Sequence, residues 1–421
     1  MMNNFHNFPQ GWQVKTLGEC LTYEQPTKYI VKNTQYSDEY EIPVLTAGKS
    51  FLLGYTNDTE NIFTQIPVII FDDFTTDSKF VDFHFKVKSS AMKILHATKI
   101  ANIKFVFYFM QTIQYRSDTH KRYWISEYAK LPIPLPPLET QKAIVEKLEN
   151  AFAHIDEAVR HLKSVQTNIP RLKSSLLHCA FSGKLTESQN SSHKVQTLKK
   201  RVVGEEGETL PFEPLHPLIK TEIPQGWEVK TLGEIGKVVS GGTPSTSNKD
   251  NFDGEIAWIT PADLSSYKEK YISKGKRNLS EQGLKNSSAR LLPPNSILFS
   301  SRAPIGYVAI ASNALCTNQG FKNLIPNGNV SSEYIYYFLL HSKRLAESVA
   351  SGTTFKEISA ASFSKLPIPL PPLSTQKLIV QILESKFTHL DNLAQFVNAS
   401  LENLQKLKSS LLNQAFKGEL V

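Results

Sequence analysis

The sequence predicts an α/β protein, with two α/β domains joined by two long antiparallel helices that form a coiled coil and carry a pseudo-twofold internal repeat. Three observations lead there. The stretch Leu131 to Leu185 recurs without a gap at Leu366 to Leu420, 235 residues on, with 29 of 55 positions identical. A shorter stretch, PQGWQVKTLGE at Pro9 to Glu19, recurs as PQGWEVKTLGE at Pro224 to Glu234, shifted by 215 residues. The long repeat also carries apolar residues at helical steps of three and four, sustained over several heptads, which is the pattern of a coiled-coil seam. The segments between the echoes, Cys20 to Lys130 and Ile235 to Lys365, differ in length and align only near their ends. Each half is therefore one frame carrying one divergent insert. The implied boundaries are 1–130 and 224–365 for the two domains, 131–185 and 366–421 for the helical repeats, and 186–223 for a linker.

Each half opens on GW-x-VKTLGE, read as a strand or turn packed against the insert, with Trp12 and Trp227 as anchoring core residues. In the first insert, PVIIF at Pro67 to Phe71 reads as a buried strand. Asn102 to Thr112 reads as a buried helix or strand, too short in pattern to decide. Tyr115 to Tyr123 (YRSDTHKRY) joins Arg116, Lys121, Arg122 and Tyr123 with small hydroxyls, a mixture suited to phosphates and base edges. The acidic group Asp72, Asp73 and Asp77, followed by Lys79, touches the D-x-K half of a metal nuclease centre. An ordinary acidic turn explains it better, because the leading acid is only four or five residues away.

The proline run LPIPLPPL has to be extended, since each Pro fixes φ and disfavours helix in the residue before it. A helix follows over about 140 to 182, roughly 60 Å at 1.5 Å per residue. Its seam is Leu148, Phe152, Ile155, Val159 and Leu162. In the second copy the seam is Leu383, Phe387, Leu390, Val397 and Leu404, with Ser374 as N-cap. Gly183 and Gly418 fit C-terminal stops. Pro170, opposite Gln405, is expected to kink or divide the first helix. Thr186 to Ile223 is polar, proline-bearing and without a seam, as a linker should be.

The second insert holds a glycine loop, VVSGGTPST at Val238 to Thr246. It lacks the ending of a nucleotide P-loop, so Gly241, Gly242 and Thr243 read as a tight turn that can reach a backbone phosphate through its amides. Strands are expected at Ile256 to Ile259, Ser296 to Ser301 and Tyr307 to Ile310, and a helix over Tyr334 to Ala350. Lys268, Lys270, Lys274, Lys276 and Arg277, interleaved with Tyr267 and Tyr271, make the densest basic cluster of the chain. Arg302, Thr353, Thr354 and Lys356 complete the DNA-contact candidates. SGTTFK at Ser351 to Lys356 stands opposite Arg116 to Lys121 in the 235-residue register.

Composition narrows the function. The net charge is +8, which suits a polyanionic partner. Most of the excess lies in the second insert, with 15 Lys plus Arg against 9 Asp plus Glu, compared with 13 against 12 in the first. No apolar run approaches a membrane span, and the N-terminus lacks the pattern of a secretion signal. The 3 cysteines, Cys20, Cys179 and Cys316, are in no ligand spacing, which points to reduced thiols in a cytoplasmic protein without a zinc site.

LPIPLPPL-x-TQK-x-IV and LKSSLL-x-x-AF-x-G-x-L, each present twice and alternating with GW-x-VKTLGE and divergent inserts, resemble the specificity subunits of type I restriction-modification systems over nearly the whole chain. TQK stands where EQ followed by a basic residue is commoner. The resemblance implies that the inserts are target recognition domains for double-stranded DNA. It also implies that the helices scaffold modification (methyltransferase) and restriction (endonuclease/translocase) subunits. Each domain is then expected to read one half of a bipartite, asymmetric target. No catalytic residue, metal or cofactor is assigned. The only PP pairs precede Leu or Asn, so the motif of an amino-methyltransferase is missing, and there is no Walker A or H-E-x-x-H. Two other classes stay open at this stage: a stand-alone DNA-binding regulator, and a nuclease using Asp72, Asp77 and Lys79.

Overall fold

A computed structural model describes residues 8–46, 50–113, 122–187, 223–352 and 356–420. The chain forms two compact units, Met1–Val165 with Val397–Val421, and Gln166–Phe396. Each unit thus contains one insert, the first part of the helix that follows it, and the last part of the other long helix.

The two short echoes close each frame. Gln13–Thr16 pairs antiparallel with Pro132–Leu135, Val14 opposite Pro134; Glu228–Thr231 pairs with Pro367–Leu370, Val229 opposite Pro369. Prolines at every second residue remove donors from one edge only, so a two-stranded pair tolerates them. The strand then turns into a single helical turn through a capping box, Thr16 with Glu19 and Thr231 with Glu234. In the first box the Thr16 amide donates to the Glu19 carboxylate at 2.7 Å and the Glu19 amide donates to the Thr16 hydroxyl at 3.2 Å. T-x-x-E is the sequence signature of such a cap.

The inserts share one topology despite their divergence. In the first, a four-stranded sheet runs in the order Leu21–Glu24, Met92–Ala97, Val68–Asp72, Ser78–Val81. In the second, Gly236–Ser240, Phe321–Pro326, Ile297–Ser300 and Val308–Ala311 follow the same order, and Tyr271–Ile272 is added at the edge. Each insert adds a three-stranded sheet with one antiparallel and one parallel neighbour on its central strand: Ile42–Leu45 in the first, Phe252–Ile259 in the second. The Asn102–Thr112 region is a helix, Ile103–Met110, capped by the Asn102 side chain. Its counterpart, Ser332–His341, is capped by Ser331, and Lys343–Ser348 is a separate short helix, so Tyr334 to Ala350 is two helices.

The long helices run Leu138–Phe181 and Leu373–Lys417. They start directly after the proline run, so Ser374 lies inside the first turn and is not the N-cap. The glutamine of TQK secures the start instead. Gln141 is fully buried and donates to the carbonyls of Pro136 (2.8 Å) and Ile100 (3.0 Å) while accepting the Asn102 amide (2.7 Å). Gln376 donates to the Pro371 carbonyl (2.9 Å) and accepts the Ser331 amide (3.0 Å). One side chain thereby joins hinge, long helix and insert helix, satisfying buried groups that would otherwise be costly. The first helix is continuous through Pro170, so it is not divided there, and the exposed Pro170 ring projects into solvent.

Antiparallel pairing is visible within each unit. Lys408 reaches Asp156 (2.5 Å) and lies 5.1 Å over the Phe152 ring; Lys173 reaches Asp391 (2.6 Å) and lies 5.0 Å over Phe387. These are the same three residues of each copy, paired crosswise. Of the seam residues, Leu148, Ile155, Leu383 and Val397 are buried, and Phe152, Val159, Leu162, Phe387, Leu390 and Leu404 half-buried. Phe152 and Phe387 also meet the insert helices, edge-on to Tyr108 (5.6 Å) and Tyr337 (5.7 Å), so the start of the seam packs against insert as well as against helix.

The AF of each helix end plugs the insert of the other copy. Phe416 meets Phe105 (5.1 Å) and Phe109 (5.2 Å); Phe181 meets Tyr334 (5.3 Å) and Phe338 (5.4 Å). The following glycine is required twice over. Gly183 and Gly418 both have φ +78°, and a Cβ there would lie 2.0 Å from Pro224 Cγ or 2.6 Å from Pro9 Cγ. The stop at Gly418 is a Schellman motif, Glu419 N–H to Gln414 O and Gly418 N–H to Ala415 O. Proline of PQGW therefore packs on glycine of the opposite repeat. Trp227 is buried beside it and Trp12 is half-buried.

Candidate nucleic-acid interface

The basic cluster of the second insert lies between the turn Pro261–Leu264 and the strand Arg277–Leu279. Asp263 organises it: its carboxylate accepts the Thr260 amide (2.8 Å) and the Lys276 amide (3.0 Å). Lys268, Lys274 and Lys276 are exposed, and among the described residues no carboxylate lies within ion-pair distance of them. Arg277 is exposed and stacks 3.6 Å over the Phe252 ring. Lys270 behaves differently. It pairs with Glu384 and lies over the Tyr271 and Tyr337 rings, its side chain mostly covered. It fastens the arm to the second long helix and is removed from the set of free cations. Tyr271 donates to Glu333 (2.5 Å), and burial together with that carboxylate pushes its hydroxyl pKa up.

The glycine loop has a packing role. The Gly241 amide donates to the Phe321 carbonyl (3.3 Å) and the Gly242 amide to the Thr317 carbonyl (2.9 Å). Neither N–H is left for a phosphate, which corrects the expectation for these two residues. A Cβ on Gly241 would sit 1.9 Å from the Asn318 carbonyl, and one on Gly242 2.2 Å from the Ala289 amide. Glycine is needed here because backbone approaches backbone. Thr243 bonds Gln319, which is exposed at the mouth of the loop. Arg290, exposed and next to Ala289, is a further cation at this mouth; nothing in its sequence context singles it out.

Arg302 is half-exposed, 3.5 Å from Glu357, and Lys356 is exposed. Burial works to raise the Glu357 pKa, but the Lys322 hydrogen bond and the charges of Lys322 and Arg302 prevail and hold it below the usual carboxylate range. In the first insert Arg122 is exposed, whereas Tyr123 is buried, so Tyr123 is a core residue and offers no ring to a base. Arg116, Lys121, Thr353 and Thr354 lie outside the described residues, as does most of the linker.

The acidic group of the first insert is structural. Asp72 and Asp73 are buried. Asp72 accepts the amides of Phe74 (2.9 Å) and Thr75 (3.3 Å), forming the turn between two strands. Asp73 accepts the Trp124 amide (2.9 Å) and pairs with the buried Lys93 (3.4 Å). Both leading acids are thus occupied, and among the described residues no group of three or more His, Cys, Asp or Glu could hold a metal ion. No helix among the described residues is long and apolar enough to cross a membrane.

Comparison with known proteins agrees with this architecture. The family model for the type I restriction modification DNA specificity domain matches residues 9–164 and again 224–403. The specificity subunit of the type I restriction enzyme EcoR124I/EcoR124II of Escherichia coli is 35% identical over 406 residues, covering 93% of this chain and 90% of that protein. That of MjaIX from Methanocaldococcus jannaschii is 42% identical over 198 residues, covering 46% of this chain and 45% of that protein. Two solved structures share the fold. A chain from work on complex assembly and conformational transition of the type I R-M system aligns with TM-score 0.66 at 20% identity, covering 98% of this chain and 100% of that chain. The HsdS subunit from Thermoanaerobacter tengcongensis aligns with TM-score 0.59 at 19% identity, covering 100% of both chains. With two matched domains and a relative similar over nearly its full length, the chain belongs to the type I restriction-modification DNA specificity family.

Proposed function

We propose that this chain is the non-catalytic DNA-reading subunit of a cytoplasmic type I restriction-modification complex, each insert reading one half of a bipartite, asymmetric target. The observation that carries this reading is one insert topology used twice with unlike surfaces. A common fold presents each domain to the duplex in the same way, and the divergent loops give the halves different sequences. Two readers on one duplex need half-sites displaced by about one turn, ~34 Å, or more. Methyl transfer and cleavage belong to modification and restriction subunits held on the helical frame. Val14 and Val229, identical and exposed in the two frames, support a partner that binds twice.

The three free lysines supply affinity without sequence information. Each phosphate neutralised adds about 0.9 to the slope of log K against log salt. Replacing Lys268, Lys274 and Lys276 with Gln should therefore weaken binding of the chain, in complex with its modification partner, to every duplex alike and reduce that slope by about 2 to 3. Binding curves at several salt concentrations check it; an unchanged slope would place the DNA elsewhere. Capture of a methyltransferase on the tagged chain distinguishes this reading from a regulator that works alone.

A further inference from the structure

One lysine occupies the same place in both inserts, and its carboxylate partner has changed sides. Lys93 stands opposite Phe71 across the two central strands of the first sheet, and Lys322 stands opposite Phe299 in the second. Lys93 is 1% exposed and Lys322 7%. In the first insert the acid is Asp73, just past the end of the strand, 3.4 Å from Lys93. Its main-chain oxygen accepts the Tyr123 amide (2.9 Å) and its carboxylate accepts the Trp124 amide (2.9 Å). In the second insert the corresponding strand-end residue is Ser301. Its carbonyl accepts the Ile358 amide (3.1 Å) and its hydroxyl lies 3.3 Å from the Lys322 ammonium. The acid is now Glu357, on the segment that enters the proline hinge, 2.9 Å from Lys322. Tyr123 and Ile358 are equivalent in the 235-residue register, and so are Arg122 and Glu357.

We propose that Lys93 and Lys322 are equivalent positioning residues: each clamps the backbone from which the cations facing DNA project, Arg122 in the first domain, Arg302 and Lys356 in the second. The proposal rests on the DNA-reading function. Such a pair, buried for Lys93–Asp73 and half-exposed on the acid side for Lys322–Glu357, is a poor source of net stability. What it does supply is a fixed direction, through hydrogen bonds that an apolar pair lacks. The ammonium is too deeply buried to touch a phosphate. It acts through the carboxylate, and the carboxylate acts through the segment it holds.

The test is methylation mapping of DNA from cells carrying the whole chain with its modification partner. Glu357→Gln keeps volume and removes the charge. It should relax one or more base positions in one half-site, raising methylation at mismatched sites about tenfold, while the other half-site stays unchanged. Adding Ser301→Asp gives the second domain the arrangement of the first and should restore the original motif. Lys93→Met should relax the opposite half-site. A fall in total methylation with both half-sites intact would reduce the lysines to structural residues and overturn the assignment, as would a relaxed motif that Ser301→Asp leaves unrepaired. Should Lys93→Met abolish methylation, the Glu357→Gln pair of variants decides alone. If the unaltered chain gave no two-part motif, the DNA-reading function itself would fall, and the assignment with it.

Discussion

At His341 the burial of a base becomes a pH dependence. The ring stacks on Phe181 (5.6 Å) and lies 5.9 Å from His178, and its Nε2 is buried without a hydrogen-bond partner. Burial, with a smaller contribution from the His178 charge, lowers its pKa to about 4. A folded-state value below the unfolded one means that the unfolded chain takes up the proton first. The stability is therefore fully present above pH 6.5 and is lost as pH falls toward 4, by about 3 kcal/mol. His341→Phe should flatten that part of the acid limb in thermal melts between pH 7 and pH 4.5. An unaltered limb would show that other groups set it. The same scale separates what residue types reveal from what they conceal. Gly241 and Gly242 read as a tight turn that can also reach a phosphate, because close backbone packing and anion binding both demand glycine. Only the donors' actual partners, Phe321 and Thr317, distinguish the two. Lys270 likewise belonged to a basic cluster by sequence and to Glu384 by structure.

At the scale of elements, the repeated motifs turn out to hold each other. Proline of PQGW packs on the glycine that ends the opposite helix, glutamine of TQK ties hinge to insert helix, and the AF of LKSSLL-x-x-AF fills the opposite insert. The frame was legible in the sequence because such mutual contacts keep their residues in both copies. The shared insert topology was not legible, because it resides in strand order and register, which many apolar sequences satisfy. The helix over Ile103–Met110 could not be told from a strand by an all-apolar stretch; the Asn102 cap and the Gln141 bond identify it. Pro170 shows the limit of a local rule, since the helix Leu138–Phe181 runs on through it. Phe416→Ala should cost the first unit about 3 to 5 kcal/mol, and Phe181→Ala the second unit as much. Amide hydrogen exchange that loosens only Ile103–Met110 in one variant and only Ser332–His341 in the other is the expected result; uniform loosening of both inserts by either variant would refute the crosswise plug.

For the whole molecule, duplication followed by divergence explains why one chain has two similar supports and two unlike surfaces. The first insert is nearly neutral and the second carries most of the net positive charge, with 15 Lys plus Arg against 9 Asp plus Glu, so non-specific attraction to a polyanion is expected chiefly in the second. The second insert also has the additional edge strand Tyr271–Ile272 and the lysine arm, features without a counterpart among the described residues of the first. The central claim is that one recognition fold is used twice to read two different sequences. Its most direct test is the map of methylated sites in DNA from cells expressing this chain with its modification partner. The account predicts a motif of two unlike specific halves separated by a gap of fixed length and arbitrary sequence. A single uninterrupted motif, or two identical halves, would contradict it.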